Sequence, residues 1–221
     1  MINLSNFFTF VIVYLYQMQS AKIQLSADHI ALVTNAEWIL TKNEILLHIK
    51  KVLEGLYSWQ QPVLQASLLP AAVLKTGGKI SRGENYLGLP WLVLDHPRCF
   101  AKSNFFAIRT LFWWGKYLSV TLHLSGKWQQ AYAPSLTASF HQLQEKGFLL
   151  CCSGDEWIHD IGNAAYQPLK HSDVESFAAA LQKAPFLKLA AYVDIREIED
   201  AMPTLQDHFA FLVGILGSGQ A

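Results

Sequence analysis

Charge is scarce in this chain, and what there is cancels. Lys and Arg number 17 against 17 Asp and Glu, together 15% of 221 residues. A balance with no basic stripe excludes nucleic acid as an expected partner, and 52% hydrophobic content excludes disorder. Cysteine is nearly missing. Cys99, Cys151 and Cys152 make no disulfide framework and no C-x-x-C metal spacing. Cys151 and Cys152, on opposite sides of a strand, read as buried thiols of a reducing cytoplasm, the expected location. Also lacking are G-x-x-x-x-G-K-[ST], G-x-G-x-x-G and G-x-S-x-G, so the common nucleotide and hydrolase loops are excluded. The apolar run Phe7–Tyr16 is about half the ~20 residues that a membrane span needs, so no span is expected there.

What is present is enough apolar side chain for a sizeable core. Residues 1–17 form an apolar segment with three open readings. It is a weak signal sequence, which would make the protein exported, or an extra strand or helix, or the product of a start codon placed upstream of Met18. Residues 18–221 are expected to form one α+β domain.

The stretch Asn104–Gly126 organises that expectation. Two β-rich runs flank Gly115-Lys116, a Gly-X pair suited to a two-residue type II′ turn. That turn pairs Trp114 with Tyr117, Phe112 with Ser119, Thr110 with Thr121 and Ile108 with His123. Alternation then places Trp113, Leu111, Arg109, Leu118, Val120 and Leu122 on a core face. Phe106, Thr110, Phe112, Trp114, Tyr117, Ser119, Thr121 and His123 share the other. This mixed aromatic and hydroxyl face is either a partly covered sheet surface or a pocket lining.

Helices are expected on either side in sequence. Ser26 or Asp28 caps a first one, and the box Thr41-x-x-Glu44 opens a second, with Ile45, Ile49, Val52, Leu53 and Leu56 as its stripe. Residues 60–78 read as a connector and 79–100 as one extended segment, at an edge or bulged at Pro90. Pro134 and Gly147 bracket a helix with Leu136, Phe140 and Leu143 inward. Phe148–Ser153 is a strand, and Gly154-Asp155 turns it back into Trp157–His159. Ser172-x-x-Glu175 opens a helix to about Lys183, Phe186–Ile195 is a strand, and Pro203 starts a final apolar helix. The sum is α+β: an antiparallel sheet centred on a 105–124 hairpin, packed by helices on one face.

Several side chains bear chemistry. Asp95, His96 and His123 supply the residue types of a two-His, one-carboxylate metal site, and His159-Asp160 is a further such pair; no spacing rule links them. Arg109 interrupts an apolar face, so burial requires a partner. Glu84 or Asp95 would serve, or a ligand carboxylate or phosphate. Trp114 either stacks on a ligand or pairs across the turn with Tyr117. No cofactor follows from these residues.

Asn35-Ala36-Glu37-Trp38 with Lys42-Asn43, and Lys79-Ile80-Ser81-Arg82, resemble N-N-x-x-W-F-x-x-N-K and K-I-x-R of an uncharacterised bacterial family with an N-terminal helix and a following sheet. The chain has a single Asn where the family doubles it, and Lys and Asn in reverse order. The resemblance implies an α+β fold and a bacterial source. That family has no assigned activity, so no catalytic residue carries over.

The leading functional expectation is a small molecule held on the mixed face by Arg82, Arg109, Tyr117 and His123, with Phe112 and Trp114 as apolar wall. Arg109 points away from His123 in the two-residue register, so both line one pocket only if the sheet curves strongly. The alternatives are a metal-dependent or acid/base enzyme using Asp95, His96 and His123, and a structural protein that self-associates as a homo-oligomer through apolar surface.

Overall fold

Two-residue alternation runs through most of 79–125, and in the computed structural model, which describes residues 24–218, it builds four consecutive antiparallel strands. The apolar segment 1–17 lies outside the described residues. Contacts divide the chain into two units, Met1–Ile45 and Leu46–Ala221.

In the first unit, α1 (Ala27–Thr34) is capped by Ser26, whose hydroxyl accepts the His29 N–H at 3.2 Å. Helix α2 (Ala36–Gln65) starts there too, with the Asn35 side chain accepting the Trp38 N–H at 3.4 Å. Thr41-x-x-Glu44 therefore starts nothing, because Asn35 has already opened the helix six residues earlier. Ile30, Val33, Trp38 and Leu40 are exposed in this unit.

In the second unit α2 buries Leu46, Ile49, Leu53, Leu56, Gln60 and Leu64. Ile45 is exposed, so the inward stripe is displaced by one residue from the expected one at its start. The helix continues through Pro62, losing one backbone bond near its end, so the expected connector is shorter. A short turn of helix, α3 (Ala71–Leu74), leads into the sheet.

The sheet has seven strands: β1 (Lys79–Tyr86), β2 (Leu89–Ala101), β3 (Asn104–Trp113), β4 (Tyr117–Ser125), β5 (Leu149–Cys151), β6 (Tyr166–Pro168) and β7 (Phe186–Asp194). Their spatial order is β1-β2-β3-β4-β7-β5-β6, antiparallel throughout. Helices α4 (Lys127–Ala138), α5 (Phe140–Glu145), α6 (Val174–Lys183) and α7 (Ala201–Ser218) complete the chain. Together with α2 they share one large apolar core with Leu92, Leu94, Phe106, Ile108, Phe112, Leu118, Val120, Leu122 and Leu124. The fold is thus α+β, centred on the 105–124 hairpin and packed by helices on one face. Among the described residues, no helix is long and apolar enough to cross a membrane.

Four local expectations change. The 79–100 segment is two strands, because Leu87 and Gly88 both take positive φ (51° and 83°) and turn the chain back; Leu-Gly is not a usual signal for that turn. Pro134 lies inside α4 rather than at a helix start, and Ser139 separates α4 from α5. Asp173, not Ser172, caps α6, its carboxylate accepting the Ser176 N–H at 2.7 Å. The partner of β5 is β6 rather than Trp157–His159, and residues 152–165 form a long loop between them.

The largest correction is the hairpin register. The turn has three residues, Trp114-Gly115-Lys116, with Gly115 at φ +66° and the Lys116 N–H donated to the Trp113 carbonyl at 3.1 Å. Trp113 therefore faces Tyr117, Leu111 faces Ser119, Arg109 faces Thr121 and Ala107 faces His123. A one-residue slip moves every β4 side chain to the other face. This register puts Leu118, Val120, Leu122 and Leu124 against the helices beside Phe106, Ile108 and Phe112, which the two-residue loop would have separated. It also brings Arg109 and His123 to one face without unusual curvature.

Candidate functional site

On the face away from the helices, alternation along β2 presents Trp91, Val93 and Asp95, and along β3 Arg109, Leu111 and Trp113. The strand pairing sets Asp95 opposite Arg109. Arg109 Nε donates to Asp95 Oδ1 at 2.7 Å and Nη2 to Oδ2 at 3.2 Å, a bidentate pair with both side chains about nine-tenths buried. The third guanidinium nitrogen, Nη1, lies 3.1 Å from His159 Nε2. Arginine has only donors, so His159 Nε2 accepts and its proton sits on Nδ1. Burial, then the charges of Lys188 and Arg109, hold His159 far below its usual pKa and keep the ring neutral.

His159 arrives on the 152–165 loop, which crosses this face and is pinned by four side chains from four strands. Lys188 of β7, fully buried, donates to the carbonyls of Glu156 (2.9 Å) and Ile158 (2.6 Å). Tyr166 of β6 donates to the Ile158 carbonyl at 3.0 Å. Tyr117 of β4 donates to the His159 carbonyl at 2.6 Å and accepts the Ile161 N–H at 2.8 Å. Tyr86 of β1 accepts the His159 N–H at 2.7 Å. Burial lowers Lys188 to about 8 and raises both Tyr117 and Tyr166.

Between β1–β3 and this loop lies a cavity of about 530 Å³. Its floor is the Arg109–Asp95 pair with His159, and Trp91, Tyr86 and Trp157 are its aromatic sides. Trp91 is pressed against Gly83, where an added Cβ would sit 2.6 Å from the indole, so only glycine leaves that ring its place. A larger groove of about 720 Å³ lies beside α4 and α6, lined by residues such as Gln129, Gln130, Pro134 and Gln182. It has neither aromatic nor charged lining, so the smaller cavity, where polar groups converge inside apolar walls, is the better site.

No family model matches this chain, and no curated protein matches it.

The geometry sorts the residues singled out in the sequence. Arg109 and Asp95 meet in the cavity. Tyr117 is on the same face but is consumed in holding the loop. His123 is on that face too, buried beneath Phe105, Trp157 and Phe186, with ring centroids 4.3, 6.3 and 5.8 Å away. Its Nε2 lies 3.2 Å from Glu156 Oε2, but the contact lacks hydrogen-bond alignment. Burial, then Lys188 and Arg109, push His123 down to about 3, so no charged pair with Glu156 forms near neutrality. Phe112 is in the helix-side core, and Trp114, in the turn, packs against that core. Arg82 is exposed, and its register position opposite Leu92 places it away from the cavity.

Asp95 and His96 point to opposite faces, as adjacent strand residues do. His96 Nδ1 lies 3.1 Å from Gln60 Oε1 and its ring packs on Tyr57, on the helix side. Asp95, His96 and His123 are thus not brought together. Among the described residues no three His, Cys, Asp or Glu are grouped to hold a metal ion. Of the thiols, Cys151 is buried, Cys99 is half-buried and Cys152 is exposed, so the expectation of buried thiols at Cys151 and Cys152 holds for the first and not the second.

Sequence reasoning missed Tyr86, Trp91, Trp157 and Lys188. Lys188 carried the signal that marked Arg109, a cation inside an apolar strand. Trp91 lies four residues before Asp95, hence on the same strand face.

Proposed function

We propose that this protein binds a small, flat, largely apolar molecule in the cavity between β1–β3 and the 152–165 loop. The observation that carries this reading is the cavity itself, with three aromatic walls closing on one buried bidentate ion pair. Its volume is that of a ligand site. Arg109, foreseen as a ligand contact, is the residue of the expected set that lines it. Ligand-observed NMR with naphthalene-sized aromatic fragments tests the reading. Dissociation constants of about 0.1–1 mM are expected for fragments of that size. Trp157→Ala removes a half-exposed wall and should weaken binding about tenfold while leaving the fold intact. Fragments that bind the parent and the variant equally would place the site elsewhere.

A second reading, self-association, is favoured by the exposed Ile30, Val33, Trp38 and Leu40 in the first unit. Ile30 and Val33, three apart on α1, share one side of that helix, and an exposed apolar face is what an interaction site would use. Light scattering across a concentration series is expected to give a mass that rises to a dimer or higher. A constant monomer mass would rule it out.

A further inference from the structure

Resting on the cavity as the binding site, we infer the edge chemistry of its ligand: an uncharged planar ring system with a hydrogen-bond acceptor beside a donor, as in a lactam or cyclic imide.

The argument is one of remaining valences. A guanidinium has five N–H donors. Arg109 commits one from Nε and one from Nη2 to Asp95, and one from Nη1 to His159. One N–H is left on each terminal nitrogen. A carboxylate offers about four lone-pair positions, and Arg109 occupies one on each Asp95 oxygen. The floor therefore presents donors and acceptors side by side. At the margin, Asn85 is a lining residue, and its side-chain carbonyl is engaged by the Gly88 N–H at 3.0 Å.

Charge decides against ionised ligands. A carboxylate would gain from Arg109 but would be set against Asp95 within the same few ångströms, and a cation would meet the reverse. Each would lose hydration on entering a mostly apolar cavity. Lys188 keeps its charge and adds a longer-range bias toward anions, but it does not line the cavity and its ammonium is directed to the Glu156 and Ile158 carbonyls, so it offers an entering carboxylate no direct ion pair. A neutral edge carrying C=O next to N–H satisfies Arg109 and Asp95 together. The rings of Trp91, Tyr86 and Trp157 provide the flat surfaces that a planar body needs.

Four probes of nearly equal size test this by titration calorimetry: 2-quinolinone, naphthalene, 2-naphthoate and naphthalene-2-carboxamidinium. The lactam should bind at least about tenfold tighter than each of the other three. The paired variant Asp95→Leu/Arg109→Met, which leaves no orphan charge, should lose the preference for the lactam over naphthalene. If the naphthoate or the amidinium binds as tightly as the lactam, or if the paired variant keeps the preference, the edge assignment is overturned and the cavity stands. If no probe binds, both are overturned.

Discussion

Arg109→Met is expected to lower the unfolding free energy by about 3–5 kcal/mol, because it strands the Asp95 carboxylate, nine-tenths buried, without its partner. It also removes the donor to His159 Nε2. The paired replacement Asp95→Leu/Arg109→Met should recover most of this loss and fall within about 1–2 kcal/mol of the parent, since a well-packed apolar pair often matches a buried ion pair. Urea denaturation of parent, single and double variants measures all three. An Arg109→Met protein as stable as the parent would mean that the pair is solvated in solution. A double variant no better than the single would mean that the floor cannot repack. The recovery matters for testing the proposed site, because a folded double variant separates the proposed role of this pair in binding from its support of the sheet.

Mild acid should be at least as damaging. Burial lowers four histidines: His96 to about 4, His123 to about 3, and His159 and His208 in the same direction. In the unfolded chain each has a pKa near 6.5. Between that value and the folded one, the unfolded state binds the extra proton and the folded state does not, so stability is present above about pH 6.5 and is lost as pH falls. The slope is about 1.4 kcal/mol per pH unit for each histidine once pH is well below 6.5. By pH 5, His96, His123 and His159 would each have withdrawn roughly 2 kcal/mol. A sum of about 6 kcal/mol is comparable with the whole stability of an ordinary domain. Urea midpoints at pH 7, 6 and 5 should show this decline, and His123→Gln should reduce the slope by close to one proton. A flat profile down to pH 5 would show that these rings are hydrated.

The fold class was legible because it rests on signals that survive single-residue errors. Apolar spacing in 45–56 and alternation in 104–125 indicate helix and strand whichever residue begins them. The site was less legible, because it depends on register, and register turned on one loop residue. Gly115 suits either a two-residue or a three-residue turn, and the choice decides whether β4 presents Leu122 or His123 beside Arg109. With the shorter turn, Arg109 sat among aliphatics and His123 opposite Ile108. With the turn observed, the aliphatics gather against the helices, and the polar row joins Arg109. A sum of burial over both faces would have favoured the longer turn, since it alone removes the cation from the aliphatic row. The cover of the cavity lay beyond such reasoning. Residues 152–165 have no periodicity, and their path is set by Tyr166 at their end and by Lys188, Tyr117 and Tyr86, which are remote in sequence.

Those four anchors have one property in common: each grips main-chain atoms. The carbonyls of Glu156, Ile158 and His159 and the N–H groups of His159 and Ile161 are what the sheet holds. None of these anchoring hydrogen bonds uses the side chain of Trp157 or Asp160. An exchange at Trp157, which lines the cavity, would alter that wall while the main-chain bonds keep the bridge on its course, so this loop suits grafting and directed evolution, with β1, β4, β6 and β7 as a constant mount.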